Sequence, residues 1–236
     1  MKHGMWVSML ALGILGLGSL HMGCGPKPTT RTGLFLDINP NSLEQVDRDG
    51  IRISVKAITL ENYTSFPKVY TALAAEALTG PTTIPWIDVN IPAFELTILN
   101  STGHVLKLTR AVVKLQDDRG VIYEPSTKTG LAAMVDTRAL KLAADQVRID
   151  LPEARGRIKT LKLLDPDLVL LPEITEVVYV TFDYPEEPAT FLAKTHSLRL
   201  MLYEIPVMTD EAGEVTRTAN FEFLYDVSTR AIGAAR

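Results

Sequence analysis

The chain has 236 residues, 24 basic against 28 acidic side chains, and a hydrophobic share of 46%. A net charge of −4 offers no basic stripe, which argues against nucleic acid and anionic lipid surfaces as partners. A single cysteine excludes an intramolecular disulfide, and the apolar share suffices to fill a core without one.

Lys2 places a positive charge at the start, and Met5 to Leu20 is apolar or small without a charge. That run is shorter than the roughly 20 residues of a membrane-spanning helix, and it reads as the core of a secretory leader. The stretch Leu20-His21-Met22-Gly23-Cys24 resembles the lipobox of bacterial lipoproteins, in which cleavage precedes an acylated cysteine. Gly23 fits the small residue before the cut. His21 stands where the family usually has leucine, and Leu20 lies one place further back. The resemblance implies a signal peptide over residues 1–23, acyl chains such as palmitate on Cys24, and a membrane partner reached through that lipid. An ordinary secretory signal and an uncleaved anchor are the alternatives. Acylation also accounts for a solitary thiol in an oxidising compartment. Gly25 is not the aspartate that retains many enteric lipoproteins at the inner membrane, so the outer membrane is the expected site.

Loss of residues 1–23 leaves 213, enough for one large domain or two small ones. Residues 24–33 read as a Pro/Gly tether reaching at most about 30 Å. Residues 34–236 read as one β-sandwich domain, with a division near Gly130 as the runner-up.

Ile51, Ile53, Val55 and Ala57 alternate with Arg52, Ser54 and Lys56, which predicts a half-buried strand. Ile58 and Leu60 break that phase and suggest a bulge or a bend. The preceding Asp47-Arg48-Asp49-Gly50 lacks the further ligands of a calcium loop and reads as a turn with positive φ. Lys68 to Leu78 has helical spacing, closed by Thr79-Gly80-Pro81. The excursion from Asn62 to Asn90 holds Tyr63, Phe66, Tyr70 and Trp86. It reads as a cap over the core or as a partner-binding loop.

Phe94 to Leu99 and Val105 to Leu115 alternate around the polar turn Asn100-Ser101-Thr102-Gly103. Asp117-Asp118-Arg119-Gly120 then turns the chain into Val121-Ile122-Tyr123. Together with the later Val178-Tyr179-Val180-Thr181-Phe182-Asp183-Tyr184-Pro185, these stretches resemble an immunoglobulin-like domain of bacterial surface lipoproteins. The resemblance implies a mainly β, immunoglobulin-like sandwich and no catalytic residues. Gly130 to Leu164 predicts two helices divided at Pro152, with Asp150 capping the second and both crossing between the sheets. Leu168 to Leu171 is a short apolar run. Thr175 to Asp183 is apolar on both faces and reads as a central strand. Ser197 to Ile205 and Thr216 to Tyr225 flank Thr209-Asp210-Glu211-Ala212-Gly213 as a hairpin, with Phe221, Phe223 and Tyr225 on one face. Residues 231–236 read as a fraying tail.

No histidine pair at metal spacing, phosphate loop or nucleophile elbow is present after the leader, and no cofactor or metal is expected. His104 beside Ser101 can be drawn as base and nucleophile, but nothing in sequence orients the pair. The acidic pairs Asp117-Asp118, Asp165-Pro166-Asp167, Glu186-Glu187 and Asp210-Glu211 all fall in turns. The expected function is a non-catalytic binding or scaffold module of the envelope, with an envelope protein or cell-wall component as partner. A carboxylate-dependent hydrolase and a carrier of small apolar ligands are the alternatives. The candidate partner surface is Phe66, Tyr70, Leu73 and Trp86, and the acidic tip from Met208 to Val215 is a second.

Overall fold

The computed structural model describes residues 31–58, 74–76, 83–85, 92–144, 151–182 and 194–232. Strand β1 (Arg31–Ile38) is followed by β2 (Gln45–Arg48) and β3 (Ile51–Ile58). The short β4 (Ala74–Glu76) and β5 (Thr83–Pro85) precede β6 (Ala93–Asn100) and β7 (Leu106–Lys107). Next come β8 (Val112–Asp117), β9 (Ile122–Tyr123), α1 (Lys128–Ala144) and α2 (Leu151–Thr160). The chain closes with β10 (Val169–Leu170), β11 (Thr175–Thr181), β12 (Ser197–Thr209) and β13 (Val215–Ile232).

Two antiparallel sheets face each other. One runs β1-β13-β12-β8-β9 and the other β11-β6-β3-β2. Strands β3, β6 and β11 take the places of A, B and E in an immunoglobulin sandwich. Strands β8, β9, β12 and β13 take those of C, C′, F and G, and the helical pair fills the connection in which D would lie. The inward side chains form one core: Ile53, Val55, Leu96 and Ile98 from one sheet meet Leu115, Leu200, Phe221 and Phe223 from the other. Phe94 bridges them, 6.1 Å edge-on from Phe182 and 5.2 Å from Tyr225.

A second apolar layer covers the outside of the four-stranded sheet. Leu131 and Val135 of α1 and Ala154 and Ile158 of α2 pack with Ile58, Ala93, Leu163 and Tyr179. Thr127 caps α1 by accepting the Gly130 amide at 3.0 Å, and Arg155 of α2 pairs with Asp136 of α1. The Asp150 cap lies outside the described residues.

This layer corrects two readings. The register of β3 with β6 is unbroken from Ile51↔Asn100 to Ile58↔Ala93, so no bulge is present. Ile58 leaves the inward phase because it faces the helices. Strand β11 is terminal in its sheet rather than central. Both its faces are apolar because one meets the core and the other the helices, and its edge is shielded where the Tyr179 amide donates to the Lys162 carbonyl at 2.9 Å.

Other expectations shift as well. Arg31, Thr32 and Gly33, read as tether, already pair in β1 with Ile232, Ala231 and Arg230. Ala231 and Ile232 therefore belong to β13, not to a fraying tail. Within the stretch read as a helix, Ala74–Glu76 forms a strand instead and pairs with Thr83–Pro85. The turn at Asn100–Gly103 stands as read and carries the chain from one sheet to the other: β6 pairs with β3 and β11, while β8 pairs with β12 and β9. The Asp49-Gly50 turn and the β12–β13 hairpin stand as read, with Asp49 and Gly50 at φ 54° and 81°.

The crossing from β6 to the opposite sheet is held by Asn100, which is wholly buried. Its Nδ2 donates to the carbonyls of His104 at 2.8 Å and Leu170 at 3.0 Å. Its Oδ1 accepts from the Thr102 amide at 3.0 Å and the Thr102 hydroxyl at 2.8 Å. Replacement Asn100→Ala would leave several buried groups unsatisfied and is expected to cost about 3 kcal/mol, read as a lowered urea midpoint. A variant as stable as the parent would show that these bonds do not hold the crossing.

Candidate functional site

The outer face of the five-stranded sheet carries no covering layer among the described residues. Register fixes its pattern. Lys114, Met201 and Glu222 lie side by side across β8, β12 and β13, and Gln116, Arg199 and Leu224 form the next row. Val112 stands opposite Tyr203, and Ile122 of β9 opposite Gln116. Inward residues alternate with these, so the apolar members of the outer face are not part of the core.

A bulge in β12 shapes the face. Leu202 pairs with Phe221 but Ile205 with Ala219, so Tyr203 and Glu204 together oppose Asn220. Glu204 sits at φ 55°, in the left-handed region that a side chain other than glycine adopts at a cost of about 1 kcal/mol or more. The Asn220 Oδ1 accepts the Glu204 amide at 3.0 Å and fixes the bend.

The result is an open groove of about 530 Å³ lined by Val112, Lys114, Ile122, Met201, Tyr203 and Glu204, among others. Met201 is almost fully covered there, while Ile122 is half exposed. The Tyr203 hydroxyl lies 2.8 Å from the Met201 sulfur and 3.2 Å from Glu222 Oε1. Partial burial, then the Glu222 carboxylate, raise the Tyr203 phenol above its ordinary value, so it stays a neutral donor. Arg199 approaches Glu222 at 3.9 Å and Lys114 approaches Glu124 at 3.7 Å. The groove thus combines an apolar centre, a tyrosine anchored on Glu222 and a rim of mixed charge.

Sequence reasoning missed this face. The one available signal is the irregular run Leu200-Met201-Leu202-Tyr203-Glu204-Ile205, where alternation fails at the bulge.

The predicted site residues fall elsewhere. Cys24, Phe66, Tyr70, Leu73 and Trp86 lie outside the described residues, as do Glu186 and Glu187. Asp118 is exposed and accepts the His196 amide, and Asp165 and Asp167 are exposed as well. His104 is exposed and faces the Thr209 hydroxyl at 3.5 Å. At the hairpin tip Asp210 Oδ1 accepts the amides of Ala212 and Glu214, so this acid shapes the turn, while Glu211 and Glu214 are exposed. Arg217 pairs with Asp49 and joins β13 to the β2–β3 turn.

Asp117 is the buried carboxylate of the set. Its Oδ1 accepts the amides of Arg119 at 3.0 Å and Val121 at 2.8 Å. Its Oδ2 accepts from the Arg119 Nε at 2.8 Å and the Tyr123 hydroxyl at 3.1 Å. Burial alone would raise this carboxyl. The Arg119, Val121 and Tyr123 hydrogen bonds together with the Arg119 charge outweigh it and hold Asp117 below its ordinary 3.8. Tyr123 is pushed up to about 12 by burial and by the Asp117 carboxylate. Asp117 thus locks the turn between β8 and β9.

Comparison with protein-family models, curated proteins and solved structures returns no match. The helices among the described residues are not long and apolar enough to cross a membrane.

The lowered folded-state value of Asp117 fixes the sign of one pH effect. Its contribution to stability is complete above 3.8 and is lost as pH falls through the lower folded value. Asp117→Asn is expected to be less stable at pH 7 and to lose less further stability between about pH 5 and pH 2 than the parent. Parallel denaturation curves for the two proteins across that range would contradict the assignment.

Proposed function

We propose that the chain is a lipid-anchored envelope protein of the bacterial surface lipoprotein type that holds a partner protein on the open face of its five-stranded sheet. The anchoring part rests on the leader and the lipobox-like Leu20 to Cys24. The binding part rests on one observation: the two outer faces differ. One is sealed by α1 and α2, while the other presents a groove built on a strained bulge at Tyr203-Glu204. Backbone strain persists where surrounding structure enforces it, and such sites are enriched in function.

The face favours a protein over a glycan strand. Its centre is Met201, Ile122 and Val112, and its polar groups carry both signs of charge. Tyrosine is a favoured anchor at such centres because it buries a large ring and keeps a polar tip.

Two measurements test the two parts separately. Cys24→Ser is expected to move the protein from the membrane fraction to the soluble fraction without altering its thermal unfolding. Retention on membranes as firm as the parent's would remove lipid as the anchor. For binding, Tyr203→Ala and Ile122→Lys in the full chain are expected to weaken recovery of a crosslinked envelope partner by about tenfold. Glu211→Lys at the hairpin tip serves as a surface control. Partner recovery unchanged by both groove variants, or lost only with Glu211→Lys, would place recognition elsewhere. Retention on purified peptidoglycan that depends on Tyr203 would replace the protein partner by a cell-wall one.

A further inference from the structure

The outward rows of the five-stranded sheet carry their charges in a fixed order. Lys114 on β8, Met201 on β12 and Glu222 on β13 stand side by side, so one row reads cation, apolar centre, anion. At about 4.8 Å between strands, the cation and the anion lie roughly 10 Å apart with the methionine midway. Within the chain each has only a loose ionic partner. Lys114 stands 3.7 Å from Glu124, and Glu222 stands 3.9 Å from Arg199. Exposed pairs at such distances contribute little, so they do not commit either side chain.

Such a row is its own complement. Let a second copy lie face to face with the first, related to it by a two-fold axis along β12. Strand β8 of each copy then lies over β13 of the other. Lys114 meets Glu222 of the second copy, Glu222 meets its Lys114, and the two β12 strands meet along the axis. Tyr203 falls on that axis and meets its own copy, a contact that aromatic rings make favourably. A two-fold axis across the strands through the same row gives the opposite result, with Lys114 against Lys114 and Glu222 against Glu222. Charge therefore selects the axis along the strands.

The end that carries the proposed anchor selects the same axis. Strand β1 begins at Arg31, beside Ile232, with six residues between it and Cys24. An axis along the strands keeps that end of both copies on one side, as two chains tethered by lipid in one bilayer require. An axis across the strands sends the two ends in opposite directions.

We propose that the occupant of the open face is a second copy of this chain, bound about a two-fold axis along β12 with Lys114 and Glu222 paired across it. The inference rests on the reading of that face as a partner surface and names the partner. Four strands and about six residues of length give a face of roughly 20 by 20 Å, which is small for a stable interface. The dimer is therefore weak in solution, and confinement of both copies to one membrane supplies the effective concentration. One charge opposes it: Arg199, in the next row of β12, also lies along the axis and faces its own copy.

The test measures energy transfer between donor-tagged and acceptor-tagged copies of the full chain in one membrane. Lys114→Glu and Glu222→Lys each turn two opposed pairs into like pairs, so each variant is expected to associate with itself about tenfold more weakly than the parent does. Mixed together, the two variants restore both pairs and should regain the parent level, as should the double variant with itself. That recovery also shows that the single variants fold. Arg199→Gln should associate more tightly than the parent. Self-association that survives both single swaps, or that mixing does not restore, would overturn the arrangement. Weaker association of Arg199→Gln would overturn the axis along the strands in favour of one across them, which sets Arg199 over the Tyr203 ring of the second copy. A parent that shows no transfer above dilute, unassociated copies would overturn the second copy as occupant. Recovery of a different envelope protein that still depends on Tyr203 would then leave the partner face standing, whereas its absence would remove both readings.

Discussion

The amide of Asn100 makes the sandwich possible. At the end of β6 the chain must leave one sheet and enter the other, and a crossing of that kind exposes backbone groups that no ladder satisfies. One side chain with two donors and two acceptor positions meets the demand. It ties the turn at Thr102, the His104 carbonyl and the Leu170 carbonyl of β10 to one point. The Asn100 carbonyl accepts the Glu173 amide at 2.7 Å, and the next residue's amide donates to Gly50 at 2.7 Å. The turn after β6, the stretch from Leu170 to Glu173 and the β2–β3 turn at Gly50 therefore converge on the end of β6. The hydrogen bonds lie in a low-dielectric interior, where a half-satisfied set would cost more than an apolar one.

Given that crossing, the remaining architecture follows from where apolar surface is left. The four-stranded sheet has two apolar faces, so it needs two covers. The five-stranded sheet supplies one and the α1–α2 pair the other. The five-stranded sheet has only its inward face saturated with Phe, Leu and Ile. Outside, its residues alternate to Lys114, Gln116, Arg199 and Glu222 around a small apolar centre, which matches a face that meets water or a partner. The bulge adds curvature to that face. A sheet built only to close a core gains nothing from placing Glu204 in the left-handed region, whereas a sheet that must present Tyr203 does.

Legibility in the sequence follows the same division. Period-2 alternation in 51–57, 94–99 and 219–225 is a direct signature of one buried face, and those strands were readable. So was the Asp49-Gly50 turn, since few other pairs accept two positive φ values. Strand β11 misled because apolar residues on both faces indicate two covers, not two neighbouring strands; the second cover was helical and distant in sequence. Ile58 misled for the same reason, as a change of cover looks like a change of phase. The end of β6 was readable as a turn, yet its role as a sheet crossing depends on pairings with β3 and β11, up to 88 positions away, which no local pattern contains. The groove was hidden because a bulge removes the very alternation by which a strand is recognised.

Strand β1 links the proposed anchor to the groove. It begins at Arg31, so only six residues separate it from Cys24, a reach of at most about 20 Å. Its first residue pairs with Ile232, at the end of β13 farthest from the hairpin tip. Counted along β13 at about 3.3 Å per residue, Asn220 beside the groove lies about 40 Å from that end. A lipid on Cys24 would therefore carry the groove outward along the strand, away from the bilayer and open to a macromolecule. The length of β13, 18 residues where an ordinary strand has about five or six, is what sets that distance.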